Sequence, residues 1–114
     1  MISLVSVKDL EEGTSKGIEY DNKYVFAVRK DNLFHVYWNI CPHLGTPLEW
    51  EEDQFLDGDG ALIRCNTHGA LFDIDSGECL VGPCKGRKLR KIPFVVHDDT
   101  IMVEEIDLRT PASF

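Results

Sequence analysis

The feature that most constrains the fold is a succession of short apolar runs separated by turn-forming residues. Nowhere do apolar residues recur at helical spacing over about twelve residues, whereas strand-like runs are frequent. Strands are predicted at 2–7, 24–28, 33–38, 61–63, 70–74, 92–96 and 101–104. Residues 30–32 and Asp98-Asp99 have the composition of hairpin turns. The sequence therefore predicts an all-β fold, a small antiparallel sandwich or barrel.

Length and charge restrict the class of protein. The 114 residues suit one domain, predicted over 1–114 with a tail at 107–114. Twenty acidic and twelve basic residues give a net charge of −8, which argues against nucleic acid or an anionic membrane as a partner. No run approaches the roughly 18 apolar residues of a membrane span, and the N-terminus lacks a signal-peptide pattern. We expect a soluble cytoplasmic protein.

Two long segments do not fit a strand pattern. Residues 41–60 and 75–86 are rich in glycine and proline. Loops of this length in a small β domain are usually functional. The acidic run at 49–59 is interpreted either as a solvated loop or as an electrostatic docking surface, and both interpretations stay open.

Two short motifs place a thiol beside an imidazole. They are Cys41-Pro42-His43 and Cys65-Asn66-Thr67-His68. Thiolate and imidazole ligands suit zinc, copper or iron–sulfur centres. One zinc ion could take all four side chains, but a single residue between Cys41 and His43 is tight for two ligands of one ion. A 2Fe-2S cluster, with two cysteines on one iron and two histidines on the other, fits both spacings.

The residues around these motifs carry a family resemblance. The segments Cys41-Pro42-His43-Leu44-Gly45 and Cys65-Asn66-Thr67-His68-Gly69 resemble the two cluster-binding loops of the Rieske iron–sulfur family. The run from Leu71-Phe72-Asp73 to Gly82-Pro83 resembles the family's sequence after its second loop, and the resemblance spans about residues 2–106. It implies a Rieske-type β-sandwich or barrel, with a cluster-binding loop subdomain at about 39–86, and a Rieske 2Fe-2S cluster as cofactor.

The resemblance also implies roles for single residues. Cys41 and Cys65 would bind the inner iron, and His43 and His68 would bind the outer iron near the surface. Further along the chain, Pro83 would cover the cluster. Leu44 would shield the cluster on another side.

Departures from the family pattern indicate a branch. Thr46 and Thr67 stand where respiratory and photosynthetic Rieske proteins carry a disulfide, so that bridge cannot form. Ala70 and Phe72 stand where those proteins place a serine and a tyrosine that donate hydrogen bonds to the cluster. Fewer donors make the reduced cluster less stable. This pattern predicts the lower-potential branch of ferredoxins that serve oxygenases.

The function implied by the resemblance is electron transport. The protein would carry one electron from a flavin reductase to an oxygenase and would itself convert no substrate. We expect a monomer, and a chain of this length is too short for an oxygenase α subunit. Two alternatives stay open, namely a small Rieske-like subunit of an assimilatory nitrite reductase and a zinc-stabilised binding module without a redox role.

Several other residues have a plain structural interpretation. Cys79 and Cys84 are expected to be buried thiols rather than a disulfide pair. His35 and His97 are expected to be ordinary strand residues rather than ligands. Five of the twelve basic residues fall within 85–91, which indicates either exposed strand charge or a basic patch beside the electron exit.

Overall fold

The computed structural model describes residues 2–20, 23–40, 48, 53–57, 60–65, 70–82, 86–104 and 108. The described part contains one short 3-10 helix, Val7–Asp9, and strands that form three antiparallel sheets of three strands each. The strands are β1 Ile2–Ser6, β2 Thr14–Tyr20, β3 Lys23–Lys30, β4 Leu33–Trp38, β5 Leu62–Arg64, β6 Leu71–Asp73, β7 Cys79–Val81, β8 Val95–His97 and β9 Thr100–Val103. The predicted all-β antiparallel fold is confirmed.

The middle sheet, in the order β2-β3-β4, separates two hydrophobic cores. Successive side chains of a strand point to opposite faces, and β3 uses both faces. Phe26 and Val28 line one core, whereas Val25 and Ala27 line the other. The apolar run at 24–28 is therefore continuous because the middle sheet is covered on both sides.

Each core is completed by one of the other sheets. Core A lies against the β5-β6-β7 sheet and consists of Phe26, Val28, Tyr37, Leu48, Phe55, Ile63, Cys65, Ala70, Phe72, Ile74, Cys79 and Leu89. Core B lies against the β1-β9-β8 sheet and consists of Val5, Leu10, Val25, Ala27, Val36, Trp38, Ile92, Ile101, Val103 and Leu108. Cys65 of one candidate ligand motif belongs to core A, as does Leu48, which follows the other motif in the sequence.

Two hairpin turns confirm the sequence prediction. Asp31 and Asn32 have φ of 54° and 61°, and Asp98 and Asp99 have φ of 51° and 58°. Positive φ at both central residues is the requirement of a type I′ turn, and aspartate and asparagine tolerate it. The Glu12 carboxylate accepts the backbone N–H groups of Asp31 at 2.8 Å and Asn32 at 2.7 Å, which lowers the pKa of Glu12.

The sequence prediction was wrong for three strands. It missed β2, whose seven residues are mostly polar and pair along their whole length with β3. It assigned β7 to the loop at 75–86, and it placed β8 at 92–96 instead of Val95–His97. These strands are stabilised by pairing with neighbouring strands, and the local composition of a segment does not reveal such pairing. In the described part of the chain, no helix is long and apolar enough to cross a membrane.

Candidate metal centre

Of the four predicted ligands, Cys65 lies among the described residues. Cys41, His43 and His68 lie outside them, as do Leu44, Thr46, Thr67, Pro83 and Cys84. Within the described residues, no group of three or more histidine, cysteine or acidic side chains is placed to hold a metal ion. The full ligand set therefore remains a prediction. The described residues that flank the ligand motifs, and those of the third loop, are the evidence that bears on it.

Cys65 anchors the segment that contains His68. It follows β5 directly and is fully buried in core A. Its backbone N–H donates to the carbonyl oxygen of Ala70 at 2.8 Å, just before β6. The pairing of Ile63 with Phe72 continues this contact into the sheet. Cys65 and Ala70, which flank segment 66–69 in the sequence, are thereby held together at one end of the β5-β6-β7 sheet.

Asn39 anchors the segment that contains Cys41 and His43. It follows β4 directly and is only 4% exposed, as the one buried polar residue in the described part of the chain. Its backbone N–H donates to the carbonyl oxygen of Tyr24 at 3.0 Å. Its side-chain oxygen accepts the backbone N–H of Leu48 at 2.8 Å. This amide thus connects Asn39 with Leu48, the two residues that flank segment 40–47 in the sequence.

A third segment reaches the base of the Cys65 loop. The N–H of Cys79 donates to the carbonyl oxygen of Arg87 at 2.9 Å, and Glu78 forms a bridge with Lys88. At the far end of β7, Gly82 has a φ of 112°. A Cβ atom at Gly82 would lie 2.9 Å from both Cα and Cβ of Ala70. Glycine is required here because any side chain would collide with the residue that closes the Cys65 loop.

Described residues near all three segments pack in the same hydrophobic core. Leu48, Cys65, Ala70 and Cys79 all belong to core A. Two thiol–imidazole pairs borne on segments anchored in the same core match the soft ligands of an iron–sulfur cluster. Cys65 supplies a buried thiol, one of the soft donors that iron–sulfur centres use. The residues therefore fit a 2Fe-2S cluster.

The two positions used to predict a low potential lie beside this site. Ala70 is 1% exposed and Phe72 is fully buried. Neither side chain has a hydroxyl group, so neither can donate a hydrogen bond to a cluster sulfur atom. The low potential itself stays a prediction.

The acidic run at 49–59 is partly a structural element. Its described residues are 53–57, and residues 49–52 and 58–59 lie outside the described part of the chain, including Trp50. Phe55 is fully buried and stacks on Phe26, with 4.3 Å between ring centroids. Asp53 accepts the N–H of Gly17 at 2.7 Å through its carboxylate. Residues 53–57 thus tie β2 to core A, and the choice between a solvated loop and a docking surface stays open for the acidic run.

The contacts of His35, His97 and Tyr37 are those of ordinary residues of the fold. His35 is half-buried on β4, and burial is the main cause that lowers its pKa. His97 is exposed in the last hairpin, with its Nε2 atom 3.4 Å from Asp98 Oδ2. The Tyr37 hydroxyl donates to the carbonyl oxygen of Ile74 at 2.5 Å, and burial raises the pKa of Tyr37.

Cys79 is buried in core A, as expected. Its Sγ atom lies 3.4 Å from the carbonyl oxygen of Val81. Cys84 lies outside the described residues, so the expectation of two buried thiols stays untested for that residue.

We expect Asn39→Ala to weaken the candidate site as well as the fold. The substitution leaves the buried N–H of Leu48 without its acceptor, which costs about 1–3 kcal/mol. The free energy of unfolding, measured in urea, should fall by that amount. The half-life of the visible chromophore at 25 °C should shorten too, because segment 40–47 loses the contact between its ends. An unchanged half-life would show that Asn39 does not position this segment.

Comparison with known families gives a match over most of the chain. The model of the Rieske [2Fe-2S] domain family matches residues 1–102. Apoptosis-inducing factor 3 of Mus musculus is 36% identical over 76 residues, which are 63% of this chain but 11% of that protein. The ferredoxin component of the alkene monooxygenase system of Xanthobacter autotrophicus is 30% identical over 77 residues, covering 68% of this chain and 60% of that protein. The chain thus spans only part of the length of these relatives.

A solved structure shows the same fold. It is described as a complex of reduced oxygenase and oxidized ferredoxin in carbazole 1,9a-dioxygenase. One of its chains superimposes with a TM-score of 0.72 over 90% of each chain, at 19% sequence identity.

Proposed function

Because the chain belongs to the Rieske [2Fe-2S] domain family, we propose that it is an electron carrier that delivers single electrons to an oxygenase. The observation that carries this proposal is the family match over residues 1–102, which includes both thiol–imidazole motifs. A ferredoxin component of an alkene monooxygenase system among the relatives supports an oxygenase as the acceptor. When bound, the 2Fe-2S cluster supplies one-electron redox chemistry.

We propose Cys41 and Cys65 as ligands of one iron, and His43 and His68 as ligands of the other. The buried position of Cys65 supports placing the thiolate side towards core A. The histidines would then lie on the outer side, where a partner can approach. The rest of the chain acts as a rigid support, because three hydrogen-bonded segment ends converge on one packed core.

The other parts of the proposed system follow the same reasoning. We propose a flavin reductase as the electron donor, because an oxygenase-type carrier needs a source of single electrons. We propose a cytoplasmic monomer. The chain itself converts no substrate in this proposal.

The proposed function predicts a red-brown protein when it is purified without oxygen. Metal analysis should give about two irons and two acid-labile sulfides per chain, and an electron paramagnetic resonance signal should appear only after reduction. The reduced protein should be reoxidised by the oxygenase that co-purifies from the source cell. Colourless protein containing zinc would contradict the cluster. A coloured protein that no co-purified oxygenase reoxidises would contradict the assigned acceptor.

A further inference from the structure

Positive charge in this acidic protein is concentrated in one segment. Residues 79–97 contain five basic and no acidic side chains, whereas the rest of the chain contains seven basic and twenty acidic ones. This segment includes β7 and the stretch that pairs with it through the hydrogen bond from the N–H of Cys79 to the carbonyl oxygen of Arg87. The exposed Glu78 immediately precedes the segment and lies directly opposite Lys88. Within this segment, Gly82 lies close to Ala70, the residue that closes the Cys65 loop.

Further basic charge lies across the same sheet. Arg64 is directly opposite Leu71, and Leu71 is directly opposite Val81. Directly opposite residues in an antiparallel sheet share a face. The next row of this sheet, Ile63 with Phe72, is buried in core A. The exposed Arg64 and Val81 thus lie on the outer face, each next in sequence to an anchor of the candidate metal centre.

Exposed apolar residues occupy β7, the strand between β6 and the stretch that carries Arg87 and Lys88. Leu80 is 44% exposed and Val81 is 53% exposed, immediately before Gly82. Arg87 and Lys88 are exposed on the neighbouring stretch, and Arg64 is exposed on β5. We call Arg64, Arg87 and Lys88 the basic rim, and Leu80 with Val81 the apolar centre. An apolar centre with a charged rim is the usual organisation of a protein interface.

We propose that the basic rim and apolar centre form the docking surface for an oxygenase that presents acidic residues around its own electron-accepting centre. This inference rests on the proposed function and adds the chemistry of the partner. A chain with net charge −8 repels an acidic partner at long range. The basic rim is the part of this molecule that attracts such a partner. It therefore orients the partner so that the partner approaches this face.

The first experiment uses small redox probes and needs no oxygenase. The reduced protein is mixed in a stopped-flow instrument with ferricyanide, an anion, or with hexaammineruthenium(III), a cation. If the basic rim controls access to the metal centre, the rate with ferricyanide falls as ionic strength rises, and the rate with the cation increases. The opposite pair of salt effects would show that the net charge of −8 dominates, and would overturn the proposal.

Charge reversal locates the effect. Lys88→Glu should slow oxidation by ferricyanide about fivefold at low ionic strength and should accelerate oxidation by the cation. Opposite changes with the two probes separate surface charge from a shift in reduction potential, which would move both rates in the same direction. Lys8→Glu is the matched control, because it changes net charge equally at an exposed site in the short helix beside core B. Equal effects of both variants would overturn the proposal.

The second experiment uses the co-purified oxygenase. Oxidation of the reduced ferredoxin by that oxygenase should slow about fivefold in Lys88→Glu and in Arg64→Gln, but not in Lys8→Glu. Salt should slow the transfer in the unchanged protein. If electron transfer occurs at a rate that changes neither with salt nor in the rim variants, the docking surface is overturned while the proposed function stays intact. A salt effect confined to reduction by a reductase would assign the surface to the donor and likewise overturn the proposal.

Discussion

Replacing Cys65 by serine should remove the cluster almost completely. We expect the purified Cys65→Ser variant to hold less than about one-tenth of the iron and visible absorbance of the unchanged protein. Iron in such a site requires a thiolate, and a serine hydroxyl stays protonated at neutral pH and is a harder ligand. Because Cys65 is also buried where the chain enters segment 66–69, the apoprotein should lose stability too. Iron and sulfide analysis, with visible absorption, measures the result.

Cys79→Ser is the matched control for this prediction. Cys79 is the other buried thiol of core A in the described part of the chain, and it lies on β7, on the far side of β6 from β5. A serine hydroxyl at this position can donate to the carbonyl oxygen of Val81, which already faces the thiol at 3.4 Å. We expect the cluster to remain, with a loss of about 1–2 kcal/mol in stability. Equal cluster content in the two variants would refute Cys65 as a ligand.

Replacing Gly82 by alanine should destabilise the same site through a collision with Ala70. The new Cβ atom would lie 2.9 Å from Cα and Cβ of Ala70, and the backbone has a φ of 112°. Backbone strain costs about 1–3 kcal/mol, and overpacking against Ala70 adds about 1–3 kcal/mol. We expect the free energy of unfolding in urea to fall by about 2–6 kcal/mol. The cluster should also be lost faster, because the collision pushes directly on the residue that closes the Cys65 loop.

Gly86→Ala separates the two causes. Gly86 has a φ of 95°, but an added Cβ atom would have no heavy atom within 4 Å. This variant should therefore show only the strain, about 1–3 kcal/mol, and should keep the normal lifetime of the cluster. If Gly86→Ala and Gly82→Ala lost the cluster equally fast, contact with Ala70 would not be the reason for glycine at position 82.

Much of the fold could be predicted from local sequence. The apolar run at 24–28 indicated a strand, and residues 30–32 and the pair Asp98-Asp99 indicated hairpin turns. These features were predictable because they depend on neighbours in the chain. Strand β2 was not predictable in this way, because its polar residues are held in place by β3 and by Asp53.

The candidate site divides in the same manner. The chemistry of the ligands was visible as two short motifs. Each motif places a thiol and an imidazole within four neighbouring residues, so it can be recognised without knowledge of the fold. The role of Asn39 was not visible. Its partner Leu48 is nine positions away, and its burial arises only in the folded chain. The structural part of the acidic run was missed for the same reason, since Phe55 finds its place only by stacking on Phe26 of β3.

By itself, the sequence determined the donor chemistry, the β class and the uneven distribution of charge, because each of these is a property of residue types and their spacing. Only the tertiary structure decided that Leu48, Cys65, Ala70 and Cys79 meet in one core, and that Arg64 and Val81 share a face next to it. The physical reason is that these arrangements depend on strand register and on packing between distant segments. Such contacts form only when the whole chain buries its apolar surface together.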